Sequence, residues 1–261
     1  EEHCFYLLEN KSERVDIQFD SDVSLERILA IVSTFSEISS IQIKKTFEMG
    51  FAPSFDYNFL ETLKKEGLIG IKSDVIGITK FGRIVSSNFL KVSHAVYIKK
   101  FNRENVREII FEILPFPNIY LTNKLQATLK IDSSSLFSGT TLEKIYFQNR
   151  KEKLSRHGEV VLINLLTEFF VCDCKNAPYC NCPKIEIGKR LLDLRKAKLS
   201  PNRISEEFRK EYGLKIFPAD LINWLDSGIR ILETSEKIFL HYGREKQRKM
   251  ALKEIENIVG S

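Results

Sequence analysis

Four cysteines within eleven residues are the side chains best suited to chemistry in this chain. They are Cys172, Cys174, Cys180 and Cys182. Two C-x-C pairs separated by five residues offer four soft ligands, which is the set that zinc prefers in a tetrahedral site with no position left for a substrate. Pro178 stiffens the spacer, and Asn176 and Asn181 tolerate tight turns. The spacing therefore predicts a structural Zn²⁺ site and not a catalytic one.

Two disulfides are the alternative for the same four residues. The fifth cysteine, Cys4, stands alone, and Glu1–Phe5 has no basic segment followed by an apolar one, as a secretion signal would. Cytosolic thiols stay reduced, and clustered cysteines in a chain that is not secreted are typical of metal binding. We therefore expect a metal ion and a cytoplasmic location. Because the sequence does not begin with Met, we also expect it to be part of a longer chain.

A surplus of positive charge follows the cysteines directly. Residues 184–215 hold ten Lys/Arg and five Asp/Glu, a surplus equal to the net charge of +5 of the whole 261-residue chain. A local surplus of this kind suits a polyanionic partner. A solvated helix face with ordinary ion pairs is the other interpretation.

Motifs for self-contained catalysis are missing from the sequence. There is no G-x-x-x-x-G-K-[ST] phosphate loop, no G-x-G-x-x-G turn and no nucleophile elbow. The histidines are scattered along the chain, at His3, His94, His157 and His241. The longest apolar runs, such as residues 160–163, are far too short to span a membrane. We expect no catalytic residues and no membrane partner.

The elements that position these residues are predicted to be mainly helices. Apolar spacing from Ser24 predicts three helices, and residues 68–78 predict a hairpin around a polar turn. Thr79 and Ser93 are predicted to cap the two helices that follow. Three helices and a hairpin form the order of a winged helix. Its third helix carries Lys64 and Lys65 beside Glu61 and Glu66, so a packing role is favoured over DNA readout.

The predicted fold is mainly α: a winged helix followed by a helical domain and a small Cys4 zinc-binding helical domain. Alternation at Val15, Ile17 and Phe19 predicts an N-terminal strand. Ser200 is predicted to cap a helix that starts at Pro201 and is closed by Gly213. The next helix opens at Phe217-Pro218, so the two helices have helix-turn-helix order. The predicted divisions are 1–23, an N-terminal strand and connector; 24–101, the winged helix; 102–158, a helical linker or ratchet-like region; and 159–261, the Cys4 zinc knuckle with helix-turn-helix-like C-terminal helices.

Three segments resemble the region C-terminal to the two motor domains of Ski2-like superfamily 2 helicases, best in their archaeal branch. LKKEGLI at 63–69 with ITKFGRIV at 78–85 is similar to the end of the family's winged helix, including its T-x-x-G-R start to the following helix. Ser138-Gly139 precedes the next helix in the same style. The most specific likeness is CDCKNAPYCNCP at 172–183, which is similar to the archaeal cysteine signature.

The resemblance implies an accessory region of a DNA- or RNA-dependent ATPase. In that family the winged helix packs on the second motor domain, and a helical domain beyond it closes over the translocating strand. The implied partners are helicase motor domains in cis and single-stranded RNA or DNA. Because the motor domains are absent from this sequence, ATP is expected to act only through them, and this chain alone is not expected to hydrolyse it.

Three interpretations of function follow. In the first, the basic stretch contacts single-stranded nucleic acid through phosphates, with strong salt dependence and little sequence preference. The candidate contacts are Arg195, Lys196, Lys198 and Arg203. In the second, the zinc domain docks a protein partner such as a nuclease or a ribosomal component. In the third, the chain is a winged-helix DNA-binding regulator, which would need a dimerisation helix and a basic recognition helix.

Overall fold

A computed structural model describes residues 21–35, 37–50, 55–148 and 159–260. It confirms a mainly α-helical chain with a four-cysteine cluster. The contacts within the chain divide it into two compact units, residues 1–100 and 101–261. The strand predicted around Val15, Ile17 and Phe19 lies outside the described residues. No helix in the described ranges combines the length and apolar character needed to cross a membrane.

The first unit holds five described helices and a small antiparallel sheet of order β1-β3-β2. Its elements in chain order are α1 (Ser21–Thr34), β1 (Ile38–Ser39), α2 (Ser40–Gly50), α3 (Asn58–Lys65), β2 (Ile69–Lys72), β3 (Val75–Ile78), α4 (Lys80–Ser87) and α5 (Val92–Lys100). The predicted hairpin is confirmed, with Ile69 opposite Ile78 and Lys72 opposite Val75. Helix α1 supplies the centre of the core because Ile28, Leu29 and Val32 are almost fully buried.

The T-x-x-G-R segment joins helix α4 to the hairpin. The Thr79 hydroxyl accepts a hydrogen bond from the amide of Gly82 at 3.0 Å and donates to the carbonyl of Gly67 at 2.7 Å. This confirms Thr79 as the cap of α4. A Cβ added at Gly82 would lie 2.0 Å from the carbonyl oxygen of Leu68. The glycine is therefore required because the helix backbone approaches the strand backbone directly.

The second unit holds eight described helices and a two-stranded sheet. Its elements are α6 (Arg107–Ile113), β4 (Ile119–Leu121), α7 (Asn123–Leu129), α8 (Gly139–Gln148), α9 (Glu159–Phe169), α10 (Cys182–Lys196), α11 (Pro201–Tyr212), β5 (Leu214–Ile216), α12 (Pro218–His241) and α13 (Glu245–Val259). Strands β4 and β5 were not predicted. They pair antiparallel, with Tyr120 opposite Lys215. The segments predicted as 102–158 and 159–261 thus share one sheet, and their separation as domains stays a prediction.

An ion-pair fork fastens three helices of this unit. The Arg107 guanidinium on α6 donates to Glu254 of α13 at 2.7 Å and to Asp193 of α10 at 2.6 Å. Glu254 is a buried carboxylate, 8% exposed. A buried charge needs a partner of this kind, because an isolated one would bear a large desolvation cost.

Two local predictions in the first unit differ from the structure. Ser93 does not cap α5, because the helix already begins at Val92, and its hydroxyl instead donates to Asp22 at 2.5 Å. Glu66 follows the last residue of α3 and lies 3.8 Å from Lys99, so it does not share the exposed face of Lys64 and Lys65.

Candidate metal centre and nucleic-acid interface

The four cysteines of the C-x-C pairs converge at one point. The Sγ atoms of Cys172 and Cys180 are 3.4 Å apart, as are those of Cys174 and Cys182. All four sulfurs lie within 4.8 Å of one another, and none is in a disulfide. Zn–S bonds of about 2.3 Å in a tetrahedron place sulfurs roughly 3.8 Å apart. The donor set and its spacing therefore fit a structural metal ion.

Local backbone structure brings the cysteines together. The amide of Ala177 donates to the carbonyl of Cys174 at 3.0 Å, and the amide of Tyr179 donates to the carbonyl of Asn176 at 2.7 Å. These turns reverse the spacer and return the second C-x-C pair to the first. Cys182 is the first residue of α10, and Pro183 occupies the first turn, where a missing amide hydrogen costs nothing. One ligand is thus fixed by a helix and the others by the loop.

Side-chain contacts attach the cysteine segment, residues 172–182, to the rest of the second unit. The Tyr179 hydroxyl donates to the carboxylate of Glu143 on α8. This hydrogen bond raises the pKa of Tyr179, because it stabilises the neutral phenol. The Lys184 ammonium lies 5.3 Å from the centre of the Phe137 ring. The cluster is therefore held by two neighbouring segments besides its own helix.

The thiols of the cluster interact with one another. Hydrogen bonding with the Cys174 thiol, together with burial, raises the pKa of Cys182 to about 12. Four thiolates around a divalent ion keep a net negative charge, which the N-terminal end of α10 stabilises. The negative charge of a metal-thiolate cluster would therefore complement the positive end of α10.

Arg195, a predicted phosphate contact, is used within the fold. Its guanidinium donates to the carbonyls of Ile258 at 2.7 Å, Val259 at 2.6 Å and Leu199 at 3.0 Å. Two of these carbonyls lie in the last turn of α13, where no amide of the helix can donate a hydrogen bond to them. A phosphate bound by Arg195 would have to compete with these bonds.

Replacing Arg195 with alanine should therefore lower the stability of the second unit. We expect a loss of about 2 kcal/mol, because hydrogen bonds from a charged donor are worth more than neutral ones. The single tryptophan, Trp224, lies in this unit, so its fluorescence during urea denaturation reports the change. Lys196→Ala, which removes an exposed neighbouring charge, is the control and should leave the midpoint unchanged. Equal midpoints for both variants, with nucleic-acid binding lost only in Arg195→Ala, would contradict the structural role.

The other three predicted contacts lie at the corner between α10 and α11. Lys196 ends α10, Lys198 lies in the connection with φ +65°, and Arg203 lies in the first turn of α11. All three side chains are exposed. Ser200, the predicted cap, accepts a hydrogen bond from the amide of Arg203 and so fixes this corner. We call Lys196, Lys198 and Arg203 the basic corner.

Part of the basic stretch forms ordinary ion pairs, as the alternative interpretation expects. Lys189 pairs with Glu186 at 2.7 Å one turn away on α10. Arg190 lies 3.1 Å from Glu207 and 3.8 Å from Glu211, both on α11. The charge available to a partner is therefore smaller than the surplus counted in the sequence.

Another group of basic and aromatic side chains, not predicted as a site, lies at the β4–β5 sheet. A surface cavity of about 770 Å³ is lined there by Tyr120, Phe217, Lys124, Arg209 and Lys215, among others. The alternation of buried Leu214 and Ile216 with exposed Lys215 is a strand signal. At three residues it was too short to recognise.

Comparison with known proteins relates the chain to a described family and to a helicase. Residues 109–258 match a family described as "Family of unknown function (DUF5814)". The chain is also 27% identical over 271 residues to the probable ATP-dependent helicase MJ1401 of Methanocaldococcus jannaschii. This alignment covers 98% of the chain and 31% of the helicase, so the chain spans about a third of the length of that relative.

Proposed function

The chain belongs to the DUF5814 family, and we propose that it is an accessory region of a Ski2-like nucleic-acid helicase that contacts single-stranded RNA or DNA. The observation that carries this proposal is the similarity of almost the whole chain to one part of a probable ATP-dependent helicase. In this proposal the motor domains belong to the same polypeptide and bind the ATP.

The first unit supports the proposal through its element order. Three helices, a hairpin and a short strand completing a three-stranded sheet fit a winged helix over the predicted residues 24–101. Helix α3 exposes Glu61 as well as Lys64 and Lys65, which disfavours its insertion into a duplex groove. We propose that this winged helix packs against a motor domain and does not read DNA sequence.

The second unit supplies the proposed nucleic-acid contact. The zinc ion would hold Cys172, Cys174, Cys180 and Cys182 together and so fix the start of α10, whose other end carries the basic corner. The residues proposed to meet phosphates are Lys196, Lys198 and Arg203. Arg195 serves by holding α13 against this end of α10.

Reversing two charges of the basic corner tests the proposal. Fluorescence anisotropy with labelled single-stranded RNA and DNA, at low and moderate salt, should show salt-dependent binding by the chain without substitutions, which we call the parent chain. Lys196→Glu with Lys198→Glu should weaken binding about tenfold or more at moderate salt, because attractive phosphate contacts become repulsive. Lys249→Glu with Lys253→Glu, two exposed positions on α13, gives the same change in total charge and should have a much smaller effect.

The outcomes separate the possible functions. If both double variants lose affinity equally, net charge alone drives binding and the basic corner is not a site. If the parent chain binds neither RNA nor DNA at low salt, a nucleic-acid role fails. The zinc domain would then be tested as a docking module for a protein partner.

A further inference from the structure

The exposed face of the β4–β5 sheet carries two aromatic rings and a lysine. Tyr120 lies opposite Lys215 in the ladder, so both side chains project from the same face. The extended backbone continues to Phe217, with φ −72° and ψ 131°, and alternation places its ring on this face too. The opposite face is buried, through Ile119, Leu121, Leu214 and Ile216.

The two rings form a platform that solvent can reach. Their centroids are 5.7 Å apart with planes at 69°, an edge-to-face arrangement. The Phe217 side chain is 43% exposed, and the Lys215 ammonium lies 4.4 Å from its ring centre. An exposed phenylalanine beside a cation is a surface on which a flat, electron-rich ring could stack.

Further cations surround the platform. Lys124 from the first turn of α7 and Arg209 from α11 line the same 770 Å³ cavity. Both also line a neighbouring cavity of about 150 Å³, to which Lys210 contributes. None of the residues lining either cavity is Asp or Glu. In the described part of the chain, Lys124, Arg209 and Lys215 form no ion pair.

Hydrogen bonds hold the frame of this cavity in place. The Ser205 hydroxyl on α11 donates to the carbonyl of Ile216 at 2.6 Å. The Gln126 side-chain amide on α7 donates to the carbonyl of Leu121 at 2.9 Å. Both helices that carry cations are thus tied to the sheet that carries the rings. Binding would therefore require little ordering of the site, which favours affinity.

We infer that this cavity holds a nucleotide of a single strand, with its base stacked on the exposed ring of Phe217 beside Tyr120 and its phosphates bound by Lys124, Arg209 and Lys215. The inference rests on the proposed function and gives the strand a second contact besides the basic corner. Stacking on an aromatic ring tolerates any base, and lysine and arginine read only the backbone. The site would therefore bind single strands with little sequence preference.

A strand fits the distribution of charge better than a free nucleotide does. The cations are spread over two adjoining cavities, with Lys124 and Arg209 shared between them. A single nucleotide would use one cavity and leave Lys210 without a role. Successive phosphates of a strand would occupy both cavities.

Two substitutions test the stacking and phosphate contacts separately by anisotropy. Phe217→Leu keeps an apolar side chain but removes the ring, and should weaken oligonucleotide binding about tenfold without changing its salt dependence. Arg209→Ala should weaken binding and reduce the slope of log affinity against log salt by about one. The matched controls are Phe147→Leu and Lys253→Ala, which change an exposed ring and an exposed cation outside both cavities. Both controls should bind like the parent chain.

An oligonucleotide without bases completes the test. The parent chain should bind it more weakly than a normal strand, whereas Phe217→Leu should lose little further affinity, because its stacking is already gone. If Phe217→Leu and Arg209→Ala bind like the parent while the basic-corner variant does not, the cavity is not a site, yet the proposed function stands. If a mononucleotide binds as tightly as the strand, the occupant is a free nucleotide and the inference is wrong. Absence of any binding at low salt would overturn both proposals.

Discussion

Replacing Cys180 with serine should remove the bound metal ion and unfold much of the second unit. The side chain supplies one of four sulfurs within 4.8 Å of one another, and serine oxygen is a poor ligand for a soft-ligand site. Binding free energy at a structural zinc site is folding free energy, with apparent values of about 10–16 kcal/mol in small domains. A loss of about 3 kcal/mol or more is therefore expected, since α10 begins at a ligand and buries Ile187, Leu191 and Leu192.

Metal content and Trp224 fluorescence measure the two parts of this effect. Elemental analysis should find about one zinc ion per parent chain and none in Cys180→Ser. Cys4→Ser, which removes a cysteine outside the C-x-C pairs, should retain the metal. Chelation should reproduce the loss of stability. A parent chain that melts unchanged in chelator, or whose four thiols resist alkylation until a reductant is added, would favour the disulfide alternative.

Replacing Gly82 with alanine should be the most damaging single change in the first unit. The new Cβ would lie 2.0 Å from the carbonyl oxygen and 2.9 Å from the carbonyl carbon of Leu68. Both atoms belong to the backbone, so neither can rotate away as a side chain would. The Leu68 carbonyl also accepts a hydrogen bond from the amide of Thr79 at 3.1 Å. Separating the helix from the strand would break this bond, and we expect a cost of about 3 kcal/mol or more.

Trp224 lies in the other unit, so its fluorescence does not report on the first unit. Hydrogen exchange of backbone amides measures the effect instead. Amides of α3, the hairpin and α4 should lose protection in Gly82→Ala, whereas those of α12 and α13 should not. Gly70→Ala is the matched control, since a Cβ added there meets no atom within 4 Å. Unchanged protection in Gly82→Ala would mean that the backbones can separate at little cost.

Local signals in the sequence were sufficient for much of this fold. Thr79 and Ser200 were predicted as caps because their hydroxyls can satisfy amides three residues ahead, and both do. The cysteine cluster was predictable for a similar reason, because four ligands within eleven residues need only tight turns to meet. Each of these structures depends on residues that are close in the chain.

Structures that depend on distant residues were not predicted. Strands β4 and β5 have three residues each, too few for periodicity, and their pairing joins positions 120 and 215. Arg195 was predicted to be a surface charge because its neighbours in the sequence give no sign that the carbonyls of residues 258 and 259 accept its hydrogen bonds. The aromatic cavity was missed for the same reason, since Tyr120 and Phe217 become neighbours only through the sheet.

The pairing of β4 with β5 also constrains the order in which the chain can fold during synthesis. Strand β4 is made about 95 residues before the partner of Tyr120, which corresponds to roughly 5–20 s of translation. During that time Ile119 and Leu121, both buried in the finished unit, have no strand to cover them. By contrast, all three strands of the sheet described in residues 1–100 come from that part of the chain, so this sheet can form before residues 101–261 are made. During synthesis β4 therefore presents an unpaired edge until β5 is made, and such an edge is the kind of segment that invites association with other chains.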